Sequence, residues 1–152
     1  MPPVISVSLK TLYEQDFVAW LDQTAEQIRQ GSITELDWEH LLEEIEALGS
    51  EQRRKVESYC LRLLIHLLCY QYWLSEKAWS GRGWEKEIDN FRLELDSLLA
   101  SNVLFNHLQE KQAAIYAKAR GQFLRKSGLP ALTIPEQCPF SLEQILDIGF
   151  LP

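Results

Sequence analysis

Hydrophobic positions recur with helical spacing from residue 11 to about residue 126 of the chain. Thr11 and Glu14 stand in capping-box spacing and open the first expected helix. Leu12, Phe17, Trp20, Leu21, Thr24 and Ile28 form its stripe, and Gly31 is its stop. A second helix is expected from near Thr34, with Trp38, Leu41, Leu42, Ile45 and Leu48 on one face. Gly49 closes it, and Ser50 caps the next, at about residues 51–75. That third helix is apolar nearly all round from Tyr59 to Leu74, interrupted by Arg62, His66 and Gln71, as befits a central element. Residues 78–84, AWSGRGW, break the pattern with two glycines and read as a loop. A fourth helix buries Trp84, Ile88, Phe91, Leu95 and Leu98. A fifth, from near Phe105 to Gly128, buries Leu108, Ile115, Ala119 and Phe123. Residues 129–139 carry three prolines and are expected to be extended; Ser141 and Gln144 then form a capping box for a short last helix at about 141–147. Nothing alternates with period two, and no repeat or linker appears. The expected fold is an all-α, single-domain bundle of about five helices spanning residues 1–152, with residues 1–10 a loose arm.

Composition narrows the function classes. Of 152 residues 46% are hydrophobic and 24% charged, a globular mix, and the net charge is −7. An acidic balance argues against nucleic acid as a partner. Arg62 and His66 interrupt the most apolar stretch, so no membrane span is expected. The start MPPVISVS lacks a basic region leading into an apolar one, so no secretory leader is expected, and the expected location is the cytoplasm. Cys60, Cys69 and Cys138 are odd in number and widely spaced, which suits neither a disulfide framework nor a metal knuckle.

Charge is unevenly placed. Residues 35–46 hold six acids and no Lys or Arg, whereas Arg53, Arg54, Lys55 and Arg62 follow closely. If Gly49 turns the chain, the two helices are antiparallel neighbours and their charges can pair across the hairpin. Ser58, Arg62 and His66 form a polar stripe that would then face Glu44 or Glu46. Two readings of that meeting follow. In one, His66 is a core histidine satisfied by a carboxylate that raises its pKa. In the other, Glu44, Glu46 and His66 are candidate catalytic residues, with Glu44 and His66 as candidate metal ligands; His40 and Glu43 point away from this hairpin.

The segment around Trp79, Arg82 and Trp84 supplies the candidate binding residues, because Trp and Arg dominate contact hot spots. Lys111, Lys118, Arg120, Arg125 and Lys126 make a basic helix whose side chains are expected to be solvated. Cys60 and Cys69 lie among apolar residues and are expected to be inert, with Cys138 more accessible. No nucleotide-binding or hydrolase motif is present, and no cofactor is expected.

LYEQDFVAWL, LDWEHLLEEIEALGSEQRRKVES, LLIHLLCYQY and IPEQCPFSLEQILD together resemble the DUF twenty-nine family, small bacterial proteins abundant in cyanobacteria whose name marks a domain of unknown function. The resemblance runs from about Leu12 to Pro152 and implies an α-helical bundle and no particular activity. Tyr70 stands where a lysine is expected, and His40 where asparagine is common. The expected function is that of a non-catalytic interaction or adaptor protein, self-associating or binding a protein partner through the Trp-rich segment and the acidic helix surface. The alternative is a metal-assisted or acid–base hydrolase built on Glu44, Glu46 and His66.

Overall fold

The computed structural model describes residues 8–152; the arm expected at residues 1–10 lies, for residues 1–7, outside the described residues. Ser8, Leu9 and Lys10 are already the cap and first turn of a helix. The Ser8 hydroxyl accepts from the Thr11 N–H, so the first helix, α1 (Leu9–Gln15), starts earlier than the Thr11 capping box implied. The expected single first helix is also two. Asp16 is extended, with φ −151° and ψ 92°, and its carboxylate caps α2 (Phe17–Arg29) by accepting from the Ala19 N–H at 3.0 Å. Gly31, with φ 76°, ends α2 in the left-handed conformation that glycine adopts without strain.

The largest departure from expectation follows. Gly49 does not turn the chain: α3 runs unbroken for 35 residues, Trp38–Tyr72. One interior glycine costs a helix about 1 kcal/mol relative to alanine, and the flanking Glu, Leu, Ala, Gln, Arg and Lys residues are strong helix formers. The expected hairpin therefore does not exist. The acidic stretch and the basic stretch are successive parts of one helix, and the cross-hairpin ion pairs cannot form.

A single residue, Trp73, then separates α3 from α4 (Leu74–Leu98). The expected glycine loop at residues 78–84 is helical throughout and lies inside α4. Gly81 is buried, where a Cβ would press on the Lys77 side chain at 3.3 Å, whereas Gly83 faces open space. α5 (Asn102–Ser127) is capped by Ser101 and ends at Gly128, φ 70°. The final capping box is present, Ser141 and Gln144 bonding reciprocally to open α6 (Leu142–Leu146).

Backbone proximity divides the chain into two compact units, Met1–Ser50 and Glu51–Pro152. Among the described residues there is no strand, and no helix is long and apolar enough to cross a membrane. The core of the second unit gathers Val56, Cys60, Leu63, Leu64, Leu67 and Leu68 of α3 with Ile88 and Leu95 of α4, Leu108 and Phe123 of α5, and Ile134 and Ile145 of the tail.

The segment expected to be extended is interrupted by a tight helical turn at Ala131–Thr133, and its remaining carbonyls, without ladder partners, are met by side chains that tie the tail down. Tyr116 donates its hydroxyl to the Pro135 carbonyl. Arg120 donates to the carbonyls of Ala131, Ile134 and Pro135. Arg120 is thus a structural clamp rather than part of a solvated basic face. Arg92, buried in α4, donates to the carbonyls of Gln144, Ile145 and Phe150 at 3.2, 2.8 and 2.7 Å.

Candidate functional site

Glu44 and Glu46 stand near the start of α3 and His66 near its end, with about six turns of the same helix between them. The cluster expected from the hairpin is not assembled. His66 finds its partner within its own helix: Nδ1–H donates to the Arg62 carbonyl at 2.7 Å, and Phe91 lies 5.5 Å from the ring. Burial pushes its pKa below the ordinary value, opposed by the bond to Arg62 and reinforced by Lys126, the reverse of the rise a carboxylate neighbour would cause. Among the described residues no three His, Cys, Asp or Glu side chains are grouped as a metal site requires.

Within the first unit the structure assembles a different set, around the His40 that the sequence places pointing away from the expected hairpin. Asp37 precedes α3 as a cap, and its buried carboxylate takes three donors. The His40 N–H lies at 3.4 Å, His40 Nδ1 at 2.6 Å and the Trp20 indole N–H at 3.3 Å. Burial opposes ionisation of Asp37, but the bonds and charge of His40 with the Trp20 bond outweigh it and hold its pKa below the ordinary value. The bond to Asp37 raises the His40 pKa in turn, against the opposing effect of burial. The Tyr13 ring lies flat on His40, centroids 3.8 Å apart and planes 9° off parallel. Its hydroxyl donates to Glu44, which pushes the phenol pKa up to about 12. Lys10 pairs with Glu39 at 3.1 Å. The sequence signal was Asp37 and His40 in capping-box spacing, with histidine where glutamate usually stands.

An oriented carboxylate–imidazole pair is one element of acid–base chemistry, but no Ser, Thr or Cys side chain among the described residues bonds to His40. The set acts as a clasp that fixes α1 along the polar side of α3.

That clasp has a consequence for the opposite side. Trp38, Leu42, Ile45 and Leu48, expected to be a buried stripe, are 55%, 57%, 58% and 61% exposed. Their spacing of four, three and three residues keeps them on one face of α3. On α2, Val18 and Ile28 are exposed as well. Large apolar groups gathered on one helix face exceed the scattered exposure of an ordinary surface.

The second unit separates the expected binding residues. Trp84 is 7% exposed and stacks on Trp73 at 5.9 Å, so it belongs to the core and not to a contact surface. Trp79 is 86% exposed, and with Arg82, Lys77, Tyr70 and Glu85 it lines a shallow depression. Tyr70 donates to Glu85 at 2.8 Å and its ring carries the Lys77 ammonium at 3.8 Å. His107, not singled out in the sequence, meets Glu57 at 2.8 Å and joins α5 to α3. Burial pushes the Cys60 and Cys69 thiols up to about 12 and about 11, and raises half-buried Cys138 too, so none is primed as a nucleophile.

One protein-family model matches, described as Domain of unknown function DUF29, over residues 12–151. No curated protein and no solved structure matches the chain.

Proposed function

We propose, for a chain that belongs to the family of domain of unknown function DUF29, a non-catalytic role: it binds another polypeptide through the exposed apolar face at the start of α3. The observation that carries this reading is the unpartnered stripe of Trp38, Leu42, Ile45 and Leu48, left open because α1 is clasped to the polar side of the same helix. Exposing such groups to water is unfavourable by about 25 cal/mol per Å² of apolar area, a cost that a partner's apolar surface removes. Trp79 and Arg82 offer a second, smaller contact surface. The acid–base alternative has less support, since Glu44 and Glu46 are on a different part of α3 from His66.

Native mass spectrometry of the purified chain beside its Leu42→Ser/Ile45→Ser variant tests the reading. A second polypeptide bound to the wild type, another copy or a different protein, and its loss from the variant is the expected outcome. A monomer in both samples, or an assembly that the substitutions leave intact, refutes it.

A further inference from the structure

In the second unit, α4, α5 and α6 leave a groove between them. It consists of two hollows of about 400 and 490 Å³ that share Phe105 and Leu146 as lining residues. Leu99 adds to the apolar wall of the first and Leu142 to that of the second, and all four side chains are only partly buried. Asp96 lines the first hollow, and Glu143 and Asp147 line the second. Among the described residues, Arg92 is the one cation lining either hollow, and its three donors are already spent on carbonyls of the last turn and tail. Three acids against one cation give the lining a net charge of −2, and among the described residues none of these carboxylates is in an ion pair. The end of α4 adds to the imbalance. Its last turn carries Asp96 and no basic side chain, so the negative end of a 25-residue helix meets a further negative charge.

We propose that this groove docks a short segment of a partner polypeptide in which two bulky apolar side chains stand between lysines or arginines. Each hollow takes one apolar side chain, and the flanking cations meet the carboxylates and the end of α4. The placing of the carboxylates selects this occupant over a metal ion. Among the described residues no three acidic side chains are grouped closely enough to hold one, so a single small cation cannot serve all three, whereas cations spread along a peptide can. Nucleic acids and anionic membranes are repelled by the same carboxylates. The net charge of −7 makes a second copy of the chain a poorer occupant than a basic partner. The groove belongs to the second unit, and its assignment does not rest on the reading of the α3 face.

The test uses the synthetic peptide Lys-Lys-Leu-Gly-Leu-Lys-Lys, whose leucines project from the same side when the peptide is extended. One control peptide has glutamate for every lysine, and another has serine for both leucines. Fluorescence anisotropy is recorded with the full chain and with two variants that each remove two negative charges, Asp96→Asn/Glu143→Gln in the groove and Glu43→Gln/Glu46→Gln outside it. All four side chains are exposed, and circular dichroism verifies that each variant keeps its helices. The expected result is that the lysine–leucine peptide binds and neither control does. Asp96→Asn/Glu143→Gln should weaken binding by about tenfold or more, and Glu43→Gln/Glu46→Gln should leave it unchanged. Amide NMR shifts on titration should centre on Phe105, Leu142 and Leu146. Four results overturn the proposal: no binding of the lysine–leucine peptide, equal binding of the serine peptide, equal weakening by the two variants, or shifts centred elsewhere. Shifts of the same amides on raising the concentration of the chain alone also overturn it, and assign the groove to a second copy. The α3 face is judged separately, because Leu42→Ser/Ile45→Ser alters no residue that lines this groove.

Discussion

Replacing Arg92 by methionine should cost the protein about 3–5 kcal/mol, the range for removing one side of a buried charged hydrogen-bond set. Arg92 is 2% exposed, and its Nε, Nη1 and Nη2 donate to three different carbonyls, those of Ile145, Phe150 and Gln144. Each is a charge-assisted bond of about 1.5–3 kcal/mol, but the three share one desolvated cation and do not add in full. Burial already lowers the Arg92 pKa, with Asp89 and Asp147 opposing the shift, so the charge is held at some cost that methionine relieves. What methionine cannot replace is the set of donors, and the carbonyls of the last turn and tail are left to find water. Urea unfolding followed by circular dichroism should show a midpoint lowered by roughly 2 M, taking a slope of about 2 kcal/mol per molar. Hydrogen exchange in residues 141–152 should accelerate well before the rest of the second unit opens. Arg92→Lys should recover less than half of the loss, because one ammonium cannot reach three carbonyls arranged around a planar fork. A loss below about 1 kcal/mol for Arg92→Met, with unchanged exchange in the tail, would show that apolar packing of Ile134, Phe140 and Ile145 holds the segment without the arginine.

Trp84→Ala should destabilise by about 3–5 kcal/mol and Trp79→Ala by less than about 0.5, a contrast set by burial alone and read from paired unfolding curves. Gly83→Ala should stabilise by about 0.5–1 kcal/mol, since the position is helical with nothing near a new Cβ; a loss of stability there would contradict the continuous α4. His40 and His66 have pKa values displaced in opposite directions, and their effects on stability should differ accordingly. His40 has a raised folded pKa, so its contribution is complete below its unfolded value of about 6.5 and is lost as the pH rises through the folded one. Asp37 has a lowered pKa, so its part is present above about 3.8 and is lost as the pH falls through the folded value. The stability difference between wild type and His40→Gln should therefore be largest between about pH 4 and pH 6.5. His66, with a lowered pKa, should instead make the protein lose stability as the pH falls below about 6.5; this dependence should vanish in His66→Gln, and NMR titration of the two rings gives the direct reading.

Local rules settled much of the architecture. Gly31 and Gly128 stop helices because the chain turns left-handed there, and Ser141 with Gln144 starts the last helix through bonds three residues apart. The helical period, the inert cysteines and the family resemblance from Leu12 onward were legible in the same way, since each depends on a short stretch of chain. Glycine inside a favourable helical context was the point at which local signals ran out. Gly49, Gly81 and Gly83 each carry a penalty of only about 1 kcal/mol, which neighbouring helix formers and tertiary packing can outweigh, so a stop could not be told from a tolerated interior residue. The error at Gly49 carried furthest, because the expected Glu44, Glu46 and His66 cluster existed only if the chain turned there. The clasp of Tyr13, Asp37, His40 and Glu44, the burial of Arg92 beneath the tail, and the division of Trp79 from Trp84 join residues distant in sequence or depend on which helix face is covered. The periodicity of Trp38, Leu42, Ile45 and Leu48 established that they share a face; whether that face meets a core or water was decided by α1, whose polar side chains pair with the other side of the helix.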